Sequence, residues 1–346
     1  MFLFRHLSLV LILAAFSTPL TAQEVSVEQY EGLRFRHIGP VGNRVTSVAG
    51  VPGDRTTYYA GAASGGIWKT EDAGLHWAPV FDDQPVHSIG ALAVAPSDAA
   101  IVWAGTGESS IRSNVSIGNG AWKSTDAGAS WMHMGLEGTG RVGKVLIHPQ
   151  NPNVVYVAAL GHAYSESQER GVYRTMDGGN TWERVLFVDE GTGAYEMVMD
   201  PANPRKIIAT MWDLDLKTWK RDSGGPGSGL FMTMDGGDTW DQLEGNGLPM
   251  RRLGKIAVCM SVGDSDRVYA LIETGDGVPW HGRETESGEL WRTDDGGKNW
   301  KLVSYNRHLA GRTAYYSRCA VSPDCLLYTS DAADERSSVD LGGRRI

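Results

Sequence analysis

An octapeptide that recurs five times is the feature that most constrains how this chain folds. Each copy reads Ser/Thr-x-Asp-x-Gly-x-x-Trp, and we call it the octapeptide turn. The copies follow each other at roughly 50–60 residues, a repeat length that is typical of propellers and solenoids when turn residues and β-formers dominate. The five aspartates and five tryptophans are Asp72, Asp126, Asp177, Asp235, Asp295, Trp77, Trp131, Trp182, Trp240 and Trp300.

The residues around each octapeptide turn indicate four strands per repeat. An aromatic residue stands two positions before each Ser/Thr, so both lie on one face of a strand that enters a glycine-containing hairpin. Upstream, as in residues 145–157 and 197–209, an apolar strand, a Pro/Asn turn and a second strand follow one another. Four antiparallel strands form one propeller blade, with strands A to D. We therefore predict an all-β propeller of five blades and the start of a sixth.

The two ends of the chain differ from the repeats. Residues 1–22 have a basic start, a short apolar run and small residues before Gln23, which is typical of a cleaved signal peptide. We therefore expect a secreted or periplasmic protein without a transmembrane segment after cleavage, since no other stretch is apolar enough. Residues 325–346 resemble the translation of a sequencing adapter, so we predict that the propeller covers residues 23–324 and is incomplete.

Charge and residue types exclude several functions. The net charge is −9 and no block of Lys or Arg is present, which argues against nucleic acid or an anionic membrane as the partner. No copy of the octapeptide turn has the alternating oxygen ligands of a calcium loop, so we expect no metal and no cofactor, and we assign its aspartates to turn structure. Of the three cysteines, Cys259 and Cys319 are predicted to be buried free thiols.

The repeats also carry a family resemblance. The octapeptide turn matches the Asp-box, or bacterial neuraminidase repeat, of sialidases, xyloglucanases and sortilin-type receptors. Residues 35–40, 63–70, 103–108 and 170–179 look like the large exported bacterial sortilin-type proteins, which are often labelled glycosyl hydrolases. This resemblance implies a propeller that binds a peptide, a protein or a glycan. A glycoside hydrolase of the xyloglucanase or sialidase type is one alternative, and a periplasmic assembly factor is another.

The candidate site residues lie where the repeat is interrupted. The B–C connection is short around Ser64 but long at residues 106–120, 161–171, 212–229 and 273–288, and loops that vary on a rigid scaffold commonly bind ligands. Carboxylates beside aromatic rings suit sugar binding, and two carboxylates can hydrolyse a glycoside. The catalytic candidates are Glu108 and Asp213, and the ligand-binding candidates are Arg112, His162, Asp215, Trp219 and Trp280. Inter-blade salt bridges or solvated acidic loops are the alternative for each of them.

Comparison of individual residues with two enzyme families, the xyloglucanases and the sialidases, bears on the glycoside hydrolase alternative. In the xyloglucanase family the catalytic base is an Asp directly before Gly-Gly in the first blade, and this sequence has Ser64 at that position. A hydroxyl cannot replace a carboxylate as the base without an activating partner. Sialidases bind a carboxylate with three arginines, but Arg44, Arg141 and Arg252 do not have the spacing of such a triad. We expect these arginines to connect neighbouring blades instead. The sequence thus leaves enzymatic activity open.

Overall fold

The computed structural model describes residues 44–112, 114–275, 286–305, 309, 313–321 and 327–328. Their regular secondary structure consists almost entirely of β-strands, with a 3-10 helix at Glu137–Thr139 and a single-turn helix, α1 (Thr313–Tyr316). The all-β prediction is therefore confirmed. The predicted signal peptide, residues 35–40 and the candidate Trp280 lie outside the described residues.

The strands form five successive antiparallel sheets, which are the predicted blades. Blade 1 contains β1 (Val45–Gly50), β2 (Tyr58–Ala62), β3 (Ile67–Thr70) and β4 (Ala78–Pro79). Blade 2 contains β5 (Ile89–Ala95), β6 (Asp98–Thr106), β7 (Ala121–Ser124) and β8 (Met132–His133). Blade 3 contains β9 (Val142–Ile147), β10 (Val155–Ala159), β11 (Gly171–Thr175) and β12 (Glu183–Leu186).

Blades 4 and 5 follow the same order, and blade 4 has one additional strand. Blade 4 contains β13 (Thr192–Met199), β14 (Ile207–Lys217), β15 (Lys220–Ser223), β16 (Gly229–Thr233) and β17 (Asp241–Leu243). Blade 5 contains β18 (Leu253–Met260), β19 (Val268–Gly275), β20 (Glu286–Thr293) and β21 (Lys301–Ser304). Beyond them, β22 (Ala320–Val321) pairs with β23 (Leu327–Tyr328). The predicted start of a sixth blade corresponds to this short strand, which follows α1 and begins at Ala320.

The first strands of successive blades lie against each other, and this contact requires glycine. A Cβ atom at Gly90 in β5 would collide with the carbonyl oxygen of Val142 in β9, and one at Gly143 would collide with that of Tyr195 in β13. Each blade-to-blade interface also encloses its own apolar cluster, four in all among the described residues. Burial between blades, rather than within one blade, is therefore the main source of stability.

All five octapeptide turns share one pattern of hydrogen bonds. The Ser/Thr hydroxyl donates to the aspartate Oδ1 over 2.7–2.8 Å. The glycine N–H donates to that hydroxyl over 2.8–3.1 Å, and the N–H four residues after the aspartate donates to Oδ1 over 2.8–3.0 Å. The side chain at that fourth position contacts Oδ2 as well. The carboxylate is thus occupied by its own turn.

Two of the octapeptide tryptophans join neighbouring blades. Trp131 Nε1 donates to the Val80 carbonyl of blade 1 over 2.8 Å, and Trp182 Nε1 donates to the Met134 carbonyl of blade 2 over 2.6 Å. Trp77, by contrast, donates to a carbonyl of its own turn over 3.1 Å. The octapeptide itself gives no sign of these contacts, because the bonded carbonyls are 51 and 48 residues away in the chain.

The turn aspartates predict acid sensitivity. Hydrogen bonds to the charged carboxylate lower the pKa of Asp72, Asp126, Asp177 and Asp295 to about 2, and lower that of Asp235 as well. A lowered folded-state pKa contributes stability above the unfolded-state value of 3.8, and that stability is lost as the pH falls through the folded-state value. We expect the thermal unfolding midpoint to be flat above about pH 5 and to fall between about pH 4 and pH 2. An Asp177→Asn variant that keeps the wild-type acid slope would contradict this assignment.

No helix among the described residues has the length and apolarity needed to span a membrane.

Candidate functional site

The long B–C connection of blade 4 is a β-hairpin and not the loop that the sequence predicted. Strand β14 continues to Lys217 and returns as β15. Its outer half alternates: Trp212, Leu214 and Leu216 are buried, whereas Asp213 and Asp215 face outward. The apolar side chains pack against Ile111, Leu160 and other residues of the B–C connections of blades 2 and 3. Period-two alternation therefore fixes which residues of this hairpin meet solvent.

Three adjacent cavities surround the hairpin. The largest, about 660 Å³, lies between blades 4 and 5, and we call it the hairpin cleft. It is lined by Asp213, Asp215, Asp222, Arg251 and Arg252 among others. A second cavity of about 480 Å³ on the other side is also lined by Asp213 and Asp215. The third cavity, of about 270 Å³, lies at the tip of the hairpin, where β14 turns into β15.

The hairpin tip brings together two of the predicted ligand-binding residues. Trp219 is 84% exposed, and it lines the third cavity together with Arg112 from the B–C connection of blade 2. An exposed indole of this kind offers a flat apolar face beside a guanidinium. The structure therefore places Arg112, Asp213, Asp215 and Trp219 around a single hairpin.

Asp213 is the half-buried carboxylate of the hairpin cleft. Its backbone N–H donates to Ser228 Oγ over 2.9 Å, and a Cβ atom at Gly225 would collide with its carboxylate. Desolvation raises the pKa of Asp213 and the charge of Asp189 adds to the shift, while Arg170 and Arg252 oppose it. Glycine at position 225 is therefore needed to admit the carboxylate, which is held in surroundings that favour its protonated form.

Ion pairs fix the walls of the hairpin cleft. Arg252 donates to Asp222 Oδ1 over 2.5 Å and to the Gly224 carbonyl, so it joins blade 5 to the hairpin of blade 4. Arg251 pairs with Glu289, and Asp215 pairs with Lys217 over 3.0 Å. Arg252 thus ties blades together as predicted, while Arg141 bonds only carbonyls of its own blade. The roles of Asp189, Arg170 and Asp222 were missed, because their partners are distant in the sequence.

The structure removes Glu108 from the loop surface. Its side chain is 0% exposed and accepts hydrogen bonds from Arg44 over 2.5 Å and from Arg112 Nε over 3.0 Å. Arg44 precedes β1 of blade 1, so this is the inter-blade salt bridge that was the alternative to a catalytic role. A carboxylate enclosed in this way has no open face for a substrate. Its i, i+4 spacing to Arg112 was the one local signal of this pairing.

His162, the remaining ligand-binding candidate among the described residues, lies away from the hairpin cavities, as do Glu273 and Ser64. His162 is exposed, and its Nδ1 lies 3.3 Å from Ser165 Oγ. Glu273 is buried and accepts hydrogen bonds from Ser223 Oγ over 2.5 Å and from the Lys255 N–H over 2.8 Å. Ser64 is exposed at the short connection of blade 1. None of the cavities around the hairpin includes these residues, and the described residues contain no cluster of three His, Cys, Asp or Glu for a metal ion.

Comparisons with known proteins bear on the fold and on the families that this chain resembles. The family model for "Sortilin, neurotensin receptor 3" matches residues 119–248. A Paenibacillus xyloglucanase is 24% identical over 330 residues, which is 86% of this chain and 30% of that protein. A xyloglucanase of Hypocrea jecorina is 25% identical over 298 residues, 77% of this chain and 33% of that protein. The chain therefore spans about a third of the length of these relatives.

Solved structures agree with the propeller assignment. An ancestral GH74 enzyme superposes with a TM-score of 0.59 at 18% identity, covering 82% of this chain and 34% of that one. The GH74 xyloglucanase of Xanthomonas campestris also gives 0.59 at 18% identity, covering 81% and 42%. The chain is thus a β-propeller similar to enzymes of the glycoside hydrolase type. The sortilin model covers less of the chain than the xyloglucanases do, so the hydrolase-like alternative is better supported than the receptor-like reading.

Proposed function

We propose that this chain is part of a glycoside hydrolase-like propeller that binds a carbohydrate chain along the β14–β15 hairpin. The observation that carries the proposal is the placing of an exposed indole, Trp219, on the same hairpin as a partly desolvated carboxylate, Asp213. The two xyloglucanases that match more than three quarters of the chain support carbohydrate as the ligand class.

The surroundings of the hairpin suit a polyhydroxylated ligand. Trp219 provides a ring face for a sugar, while Asp213, Asp215 and Asp222 provide acceptors for its hydroxyl groups. Asp222 and Asp215 already pair with Arg252 and Lys217, so their charges are largely compensated. A neutral sugar chain can therefore contact these two carboxylates without the desolvation of an unpaired charge.

Asp213 is the residue that we assign as proton donor if the protein hydrolyses its ligand. A carboxyl with a raised pKa keeps its proton to higher pH and can give it to the leaving oxygen of a glycosidic bond. Asp215 lines the same two cavities and is the candidate for the second carboxylate. Ser64 does not supply the base at the first-blade position, so the pair differs from the xyloglucanase pattern.

Two variants test this proposal. Trp219→Ala should weaken binding to a polysaccharide panel by about tenfold, measured by affinity electrophoresis, because the stacking surface is lost. Asp213→Asn should retain binding and reduce release of reducing sugar by at least about a hundredfold. Leu75→Ala, an equally exposed change in an octapeptide turn, is the control and should alter neither.

The outcomes separate binding from hydrolysis. Binding without release of reducing sugar by the wild-type protein would reject catalysis and keep the carbohydrate ligand. Absence of binding to any polysaccharide would reject both. Binding of a peptide whose affinity falls in Trp219→Ala would instead support the second candidate function, that of a sortilin-type ligand-binding protein. The family model over residues 119–248 favours this second candidate.

A further inference from the structure

A short segment after blade 5 is held by four different blades. We call residues 313–321, which include α1 and β22, the closing segment. Arg44 of blade 1 donates to Tyr315 Oη over 2.7 Å. Arg318 donates to Ser109 Oγ of blade 2 over 3.4 Å and to Glu196 of blade 4 over 3.1 Å. The segment is therefore held in a defined position against the blades.

Blades 4 and 5 hold the backbone of the closing segment. Lys255 of β18 is 0% exposed, and its Nζ donates to the carbonyls of Ala314 and Tyr315 over 3.3 and 3.1 Å. The same ammonium lies 4.1 Å from the ring centre of Tyr195, whose hydroxyl donates to the Ser317 carbonyl over 3.4 Å. Each of these bonds fixes a residue within five positions of Cys319.

This docking brings two cysteines together. Cys259 lies in β18 and is buried, and Cys319 packs against the apolar cluster that contains Cys259, Tyr269 and Leu271. The neighbouring Cys259 side chain raises the pKa of the Cys319 thiol. Both are free thiols in the structure, and Cys259 is buried as predicted, whereas Cys319 is half-buried because it lies in the closing segment at the edge of the cluster. Their strand offsets gave no sign of the contact, because Cys319 approaches from the closing segment rather than from a paired strand.

We propose that Cys259 and Cys319 are a disulfide site that fastens the closing segment to the first strand of blade 5. A disulfide requires neighbouring cysteines, and Cys319 packs against the cluster that contains Cys259 while β22 lies against β18. The surrounding hydrogen bonds already restrain the segment. The bond would close a loop of about 60 residues, long enough for a substantial loss of unfolded-state entropy. This inference does not depend on which ligand binds the hairpin.

The oxidation is an exchange with a small-molecule or protein disulfide. The partly exposed Cys319 thiolate attacks one sulfur of the oxidant, forms a mixed disulfide and releases one thiol. The Cys259 thiolate then attacks the Cys319 sulfur, forms the internal disulfide and releases the second thiol. Two protein thiols lose two electrons and two protons, and the oxidant is reduced to two thiols. The neighbouring Cys259 and the partial burial of Cys319 raise the pKa of the Cys319 thiol, so we expect oxidation to accelerate as the pH rises.

The experiment uses the full chain with Cys325→Ser, so that only the two cysteines of interest remain. The protein is treated with oxidised glutathione, denatured, alkylated and digested for mass spectrometry. We expect the number of free thiols to fall from two to none, with a peptide pair joined through Cys259 and Cys319. The oxidised form should melt about 5–10 °C above the reduced form.

A second variant separates the disulfide from other oxidation. In the same background, Cys319→Ser should show no oxidant-dependent melting shift, and Cys259 should remain alkylatable or carry only glutathione. Two alkylatable thiols after oxidation of the Cys325→Ser protein would overturn the proposal. Cross-links found only between chains would overturn it as well.

Discussion

Trp131→Ala should destabilise the protein by about 3–5 kcal/mol, because a large buried ring is removed from the interface between blades 1 and 2. Trp131 is only 8% exposed, packs edge-on against Phe81 with ring centres 5.2 Å apart, and bonds the Val80 carbonyl. The variant leaves a cavity and also an unpaired carbonyl. The loss is measured as the change in free energy of unfolding by urea titration.

Trp77→Ala is the matched control for this prediction. Trp77 occupies the same position in the octapeptide turn of blade 1, but it is more exposed and bonds only its own turn. We expect a loss of about 1 kcal/mol. Equal losses in the two variants would show that the tryptophans act within their hairpins and not between blades.

Glu108→Gln should cost about 3 kcal/mol of stability, since it leaves two guanidinium groups facing a buried neutral amide. Glu108 is enclosed by Arg44 and Arg112, and Arg44 also holds Tyr315 of the closing segment. Because the change keeps the volume of the side chain, the loss of stability comes from the loss of the negative charge. Urea titration of the wild-type and variant proteins measures this difference in the free energy of unfolding.

The control for the buried ion pair is a surface one. Glu71 pairs with Lys69 over 2.7 Å and has a side chain that is 71% exposed. Glu71→Gln should change stability by less than about 1 kcal/mol, because water solvates the exposed Glu71 carboxylate. If Glu108→Gln proved as mild as Glu71→Gln, the carboxylate of Glu108 would be open to solvent and its candidacy as a catalytic residue would return.

The repeats made the blades predictable, because each blade is local in sequence. The position of every octapeptide turn, together with the aromatic residue before it, marks strands C and D of one sheet, and the structure contains those strands. Residues 273–275 and 286–288 of the connection predicted for blade 5 are paired strand, whereas the long B–C connections of blades 2, 3 and 4 were located from the sequence. Their internal structure was not, although the alternation of Trp212, Leu214 and Leu216 was a readable signal that β14 continues into the insertion.

The fate of individual charges was less predictable. Glu108 follows strand B of blade 2, and Asp213 lies in the outer half of strand B of blade 4. From the sequence, both were predicted to be carboxylates of loops. One is buried because Arg44, 64 residues earlier, reaches it, and the other stays half-buried beside Asp189. Burial of a charge depends on partners that only the packed blades bring together. The contacts of Lys255 were unpredictable for the same reason, since the sequence shows only that a lysine lies within an apolar strand.

The closing segment differs from the blades in the order in which its contacts can form. Each blade pairs strands that are neighbours in sequence, so its loops are short and it can assemble as soon as its own residues are available. The bonds from Arg44 to Tyr315 and from Arg318 to Ser109 span 271 and 209 residues. These contacts need blades 1, 2, 4 and 5 to be in place first. Formation of the Tyr315 and Arg318 contacts is therefore expected to be the last step of folding for this part of the chain, and the first to be lost on partial unfolding.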